Sequence, residues 1–153
     1  MDRAKLLARR LAINLTALVF LLLAGTQAWA RGESLEQFAR SLGLRDVAGF
    51  VETIETLDRD RRLPQRYVTK DQAERLGWRP GMDLRKVAPG KSIGGDRFGN
   101  REGLLPLAAG RRFFEADLDY AGGSRGARRL VWSSDGHRWV TLDHYKSFRE
   151  VPK

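Results

Sequence analysis

The hydrophobic pattern of this chain changes its period near Ser92, and that change restricts the fold more than any other feature. Upstream, Val47, Phe50, Val51, Ile54 and Leu57 recur at helical spacing behind Asp46, a residue suited to an N-cap. The pattern stops before Leu63-Pro64. Thr69-x-x-Gln72 has the form of a capping box and opens a second helix that ends near Gly77. Asp83 opens a third, very short one, stopped at Pro89. Downstream, residues 112–118, 128–133, 136–141 and 147–151 read as strands. The turn signals Ala121-Gly122-Gly123-Ser124 and Ser134-Asp135-Gly136 separate them. Helices first and strands second predict an α+β domain, with N-terminal helices packed on one face of a C-terminal antiparallel β-sheet.

The first 30 residues have a different character. Arg3, Lys5, Arg9 and Arg10 precede a largely apolar, uncharged stretch from Leu11 to Ala24, and Ala28-Trp29-Ala30 has the small-x-small form of a cleavage site. A basic start, an apolar centre and such an end describe a secretory signal peptide. The centre is shorter than the roughly 20 residues that a spanning helix needs, although an uncleaved anchor is the alternative. The expected layout is a signal peptide over 1–30, a polar lead-in over 31–45 and one domain over 46–153, secreted to the periplasm or the exterior. Ser34-x-x-Gln37 opens either a short helix to about Leu42, with Leu35, Phe38 and Leu42 on one face, or a frayed tail.

Losing residues 1–30 removes four basic groups and Asp2, which lowers the net charge from +9 to +6. A compact basic domain suits an anionic partner. There are no cysteines, so the domain rests on its hydrophobic core and zinc–thiolate sites are excluded. With only His137 and His144 present, a His-rich metal site is not expected, and no cofactor is called for.

Strand alternation sorts the later residues by face. Phe114, Ala116 and Leu118 share one face, and Phe113, Glu115 and Asp117 the other. Leu130 and Trp132 point one way, Arg129 and Val131 the other. This frees Glu115, Asp117 and Arg129 to line a cleft, where two carboxylates call for a nearby arginine. Taken alone, Glu115 reads as a strand carboxylate paired with Arg129, and His144 as a sheet-edge imidazole. Gly90-Lys91-Ser92 suggests a phosphate loop, but such a loop needs glycine where Arg85 stands, and that reading fails.

Several phrases occur in one order: Leu63 to Trp78 (LPQRYVTKDQAERLGW), Val87 to Asp96 (VAPGKSIGGD), FGNREG from Phe98, FEADLDY from Phe114, RRLVWSSD from Arg128 and LDHYKSF from Leu142. Together they resemble the barnase-type, guanyl-preferring bacterial ribonucleases of the microbial ribonuclease superfamily, from about Asp46 to Val151. The resemblance implies a general base at Glu115, a general acid at His144, phosphate contacts from Arg125 and Arg129, and added positive charge from Lys70. It implies a guanine site around Asn100, Arg101 and Glu102, with the aromatics Phe98 and Tyr145 bordering it. Asp96 and Asp117 match acids that organise the cleft, and Arg111 and Asp135 a structural ion pair. Gly99, Leu104, Gly126 and Ala127 depart from the family pattern beside these positions.

The implied activity is endonucleolytic cleavage of single-stranded RNA. Transesterification through the 2′-hydroxyl gives a 2′,3′-cyclic phosphate, which water then opens. The implied partners are RNA and a small acidic inhibitor of the barstar type, with the enzyme a monomer. A membrane-anchored or delivered toxin would share the chemistry. A non-catalytic RNA-binding module would have no use for a Glu–His pair.

Overall fold

The computed structural model describes residues 34–153; the signal-peptide reading and residues 31–33 of the lead-in lie outside them. Residues 34–41 are helical (α1). Leu35 and Ala39 are fully enclosed and Leu42 is buried, so this part of the lead-in contributes to the core. Phe38 is only partly buried and lies against the Phe50 ring, with centroids 6.1 Å apart.

Asp46 caps α2 (Val47–Asp60) by accepting the Gly49 N–H at 2.9 Å. The helix ends at Arg61, which takes a left-handed conformation (φ 56°). Thr69 and Gln72 form a full capping box on α3 (Lys70–Arg75), each side chain accepting the other's backbone N–H. Asp83 caps a single 3₁₀ turn, Leu84–Lys86.

Six strands follow the order of the chain across one sheet: β1 (Tyr67–Val68), β2 (Ser92–Phe98), β3 (Phe113–Asp117), β4 (Arg129–Ser133), β5 (Arg138–Thr141) and β6 (Arg149–Glu150). Five of them pair antiparallel, as expected. The sheet is nevertheless mixed, because β1 runs parallel to β2. A parallel neighbour requires a crossover, and α3 with its 3₁₀ turn supplies it. Two residues are too short a run for the alternation from which strands are read. A bulge between Gly94 and Asp96 shifts the register of β2, with Gly95 at φ +98°. A side chain on Gly94 would meet the Tyr67 ring at 2.7 Å, so this part of β2 must stay bare.

Leu118, Leu130 and Val140 from one sheet face form a core with Phe50, Ile54 and Leu57 of α2 and Leu35 and Ala39 of α1. Truncating a side chain as enclosed as Ile54 costs about 2–5 kcal/mol. The opposite face has a smaller core that alternation did not announce: Phe113, Val131 and Trp139 close under Leu105 from the loop after β2. A third cluster ties Ala73 of α3 to Trp78, Leu84 and Ile93. None of the described helices is long and apolar enough to cross a membrane.

Candidate active site

β3 places Glu115 and Asp117 two residues apart, hence on the same face as Phe113. Glu115 is 6% exposed. Its Oε1 accepts from Lys70 Nζ at 3.0 Å, and its Oε2 accepts the Tyr145 hydroxyl at 2.6 Å. Its ionic partner is therefore Lys70 rather than Arg129, because α3 brings its first residue to the edge of the cleft. The Asp96 carboxylate, accepting the Lys70 N–H at 3.0 and 3.3 Å, fixes that end of the helix. Burial pushes the Glu115 carboxyl up, but the Tyr145 hydroxyl, the Lys70 ammonium and the Arg125 guanidinium outweigh it. The net result is a pKa below the ordinary value, with the group ionised near neutrality. Tyr145 shows the reciprocal effect: burial and the adjacent Glu115 raise its phenol to about 12.

Asp117, 2% exposed, orders the two arginines. Arg125 donates to both its oxygens, at 2.8 and 2.6 Å. Arg129 Nε lies 2.9 Å from Asp117 Oδ1 as an ion pair whose angle does not make a hydrogen bond. Arg129 Nη1 is held instead by the carbonyls of Gly126 and Arg128, at 2.6 and 2.8 Å. Burial works against charge on Arg125, but Asp117 raises its pKa all the same.

His144 is exposed and stands on a turn with left-handed backbone at two successive positions, φ 58° at His144 and 69° at Tyr145. That conformation is costly for non-glycine residues. Asp143 secures it. Its carboxylate accepts from Lys146 N at 3.1 Å, Ser147 N at 3.0 Å, Ser147 Oγ at 2.6 Å and Thr141 Oγ1 at 2.9 Å. These donors, the Ser147 hydroxyl first, hold the Asp143 pKa down to about 2. The His144 N–H is bonded to the Ala127 carbonyl at 3.2 Å. Tyr145 links the imidazole to the carboxylate: its ring centroid is 4.9 Å from that of His144 while its hydroxyl holds Glu115.

A groove of about 670 Å³ runs from Glu115 and Tyr145 along the loop after β2, lined also by Phe98, Gly99, Arg101 and Glu102. Phe98 stacks on Tyr145, with centroids 5.1 Å apart and planes 26° apart. Arg101 and Glu102 are exposed in the groove wall. Asn100 differs from the other loop residues. Its side chain turns inward, donating to the Leu105 carbonyl at 2.9 Å and accepting the Leu105 N–H at 3.1 Å. These two bonds close its own loop and fix the backbone of Asn100 and Arg101 along the groove. Arg111 anchors the far side through Asp135, with contacts of 2.6 to 3.0 Å.

Lys70, Arg125, Arg129, Glu115, His144 and Tyr145 thus converge on one sheet face, with the groove beside them. Such a face can take a proton at Glu115, give one at an imidazolium and hold an anion between. Among the described residues, no group of three His, Cys, Asp or Glu side chains is placed to hold a metal ion. The missed features are the Tyr145–Glu115 bond and the closure of the loop by Asn100; hydrogen-bond partners so far apart in sequence leave no periodic signal.

The chain belongs to the ribonuclease family, whose pattern matches residues 52–152. It is similar to a ribonuclease of Heyndrickxia coagulans, 54% identical over 96 residues, or 62% of this chain and 88% of that protein. A ribonuclease of Bacillus intermedius is also 54% identical over 96 residues, 62% of this chain, but the match spans only 59% of that protein. The guanyl-specific ribonuclease St of Saccharopolyspora erythraea is 45% identical over 56 residues, 36% of this chain and 55% of that protein.

Proposed function

We infer that the chain is an endoribonuclease that cuts single-stranded RNA on the 3′ side of guanosine, without a metal ion. One observation carries this reading: Glu115 is buried yet held ionised by Lys70 and Tyr145, beside two arginines already oriented on Asp117. Glu115 removes the ribose 2′-hydroxyl proton as the 2′-oxygen bonds to phosphorus. The bond from phosphorus to the 5′-oxygen breaks, and protonated His144 supplies that oxygen with a proton. Arg125 and Arg129 hold the charge that builds on the non-bridging oxygens. The cyclic phosphate is then opened by water, with His144 as base and Glu115 as acid. DNA lacks the 2′-hydroxyl and would bind without being cut.

Guanine would lie in the groove between the Asn100–Arg101 backbone and an aromatic, its N1–H and exocyclic amine directed to Glu102. The name of the Saccharopolyspora relative supports this preference. The basic start and apolar stretch of residues 1–30 support export. The cleft cations would also suit a small acidic inhibitor docking on a monomeric enzyme, with association slowing as salt rises.

The test is cleavage of GpU and ApU by residues 31–153, with and without EDTA. Faster cleavage of GpU, unchanged by chelator, is expected. Equal rates would remove the guanine reading, and activity restored only by a divalent ion would overturn the chemistry.

A further inference from the structure

The sheet face opposite Glu115 carries a feature that the reaction does not use. Arg97, Phe114, Trp132 and Arg138 are direct cross-strand neighbours, one on each of β2, β3, β4 and β5. Phe114 and Trp132 stack, with centroids 5.7 Å and planes 25° apart. The Arg97 guanidinium lies over Phe114 at 5.6 Å. Arg138 is paired with Asp58 of α2. Both rings remain partly exposed, because α2 ends at Asp60 and does not fully cover this end of the sheet.

Two adjoining hollows, of about 440 and 200 Å³, share Phe114 and Trp132 as floor and Arg61 as rim. Arg62 stands on the larger one. Arg61, Arg62 and Arg97 are all exposed, and none of the ion pairs among the described residues includes them. Aromatic rings set among exposed arginines are what single-stranded nucleic acid requires: rings for its bases and cations for its phosphates. An apolar peptide would have no use for the cations, and a folded acidic partner none for a recessed floor.

This region also communicates with the cleft. β1 pairs with β2 only at Ser92 and Ile93, so no strand covers the edge of β2 from Gly94 onward. Arg97 lies on that open stretch and lines the recognition groove as well as covering Phe114. Thr69, which precedes Lys70, lines the larger hollow. A strand leaving the cleft can follow this edge past Arg97, alongside the start of α3 that Asp96 holds.

We propose that the Phe114–Trp132 hollow, with Arg61 and Arg62 on its rim, is a second binding site for single-stranded RNA that holds a distal segment of the substrate being cut. The proposal rests on the ribonuclease reading for the identity of its ligand. Its role is affinity for long chains, not base choice and not chemistry.

The test compares the wild type with Arg61→Asn/Arg62→Gln, asparagine being tolerant of the left-handed backbone at residue 61. Cleavage of GpU, too short to reach the hollow, should be unchanged. KM for a 15-nucleotide single-stranded RNA should rise about fivefold to tenfold with kcat retained. The slope of log KM against log salt should fall by about 1.4 for two lost phosphate contacts. A 15-nucleotide DNA, which is bound but not cut, should bind more weakly to the double variant and to Trp132→Phe in a direct binding measurement. Equal KM for the long RNA in both proteins, or equal DNA binding, would overturn the second site. Failure of the wild type to cleave GpU would instead count against the ribonuclease reading, and the DNA measurement separates the two outcomes.

Discussion

Tyr145 donates its hydroxyl to Glu115 Oε2 at 2.6 Å, while its own acidity is pushed to about 12 by burial and by that same carboxylate. The phenol therefore stays protonated and remains a donor at every pH at which RNA is stable. A hydrogen bond given to the ionised form favours that form. Tyr145→Phe should raise the Glu115 pKa. The acidic limb of kcat/KM against pH should then move to higher pH, with the alkaline limb unmoved. The measurement is the pH–rate profile on GpU. Coincident acidic limbs in the two proteins would dissociate Tyr145 from Glu115.

Glu115→Gln and His144→Ala should each lower kcat by about 10² to 10⁴. Both proteins should keep the wild-type circular dichroism and urea midpoint within small limits, since His144 is exposed and Gln keeps the shape of Glu. On the proposed mechanism the double variant should lose less than the product of the two effects, because the base and the acid serve the same transfer step. Single-turnover kinetics on GpU is the readout.

Asp117→Asn should cost stability as well as activity. Asp117 and Arg129 are 2% and 3% exposed, and one carboxylate serves both Arg129 and Arg125. Removing its charge leaves the buried Arg129 and the partly buried Arg125 unbalanced, a loss of about 3–5 kcal/mol. Urea unfolding should show a lower midpoint with unchanged m. Retention of full stability would mean that the arginines relax to solvent.

Asp119 couples the start of α2 to the segment after β3. Its carboxylate accepts the backbone N–H groups of Arg45 and Asp46 at 2.9–3.0 Å and pairs with Arg128. Burial raises its pKa, but these donors outweigh it and leave the pKa below the ordinary value. A depressed folded pKa stabilises the native state above the unfolded value, about 4, and that contribution is lost as pH falls through the folded value. Asp119→Asn, which tolerates the φ of 56° there, should lower stability by about 1–2 kcal/mol at pH 7 and by much less at pH 2. Urea midpoints at the two pH values check the difference.

The sequence carried the site further than it carried the sheet. Glu115, Asp117 and Arg129 were placed on one face by alternation alone, and that is where they stand. The Thr69 and Asp46 caps were legible because a cap lies within three residues of the N–H it satisfies. The pairing of Glu115 with Lys70 was not, since 45 residues separate them and only the crossover after β1 brings them together. Nor does sequence spacing announce that the Asn100 amide bonds both the N–H and the carbonyl of Leu105, shaping the loop whose backbone it also supplies. Nor could alternation distinguish Phe113, Val131 and Trp139 from cleft-lining residues, because a small core and a cleft share that face.

Among the ion-paired side chains of the cleft, three cations, Lys70, Arg125 and Arg129, meet two anions, Glu115 and Asp117, an excess of one positive charge. This near-balance bears on turnover. A surplus of bare cations would grip the phosphate of the product as firmly as that of the substrate, and tight uniform binding does not speed a catalytic cycle. On the proposed mechanism, Asp117, already engaging both arginines, would soften their hold on a departing phosphate, so that the finished strand could leave and the next one enter.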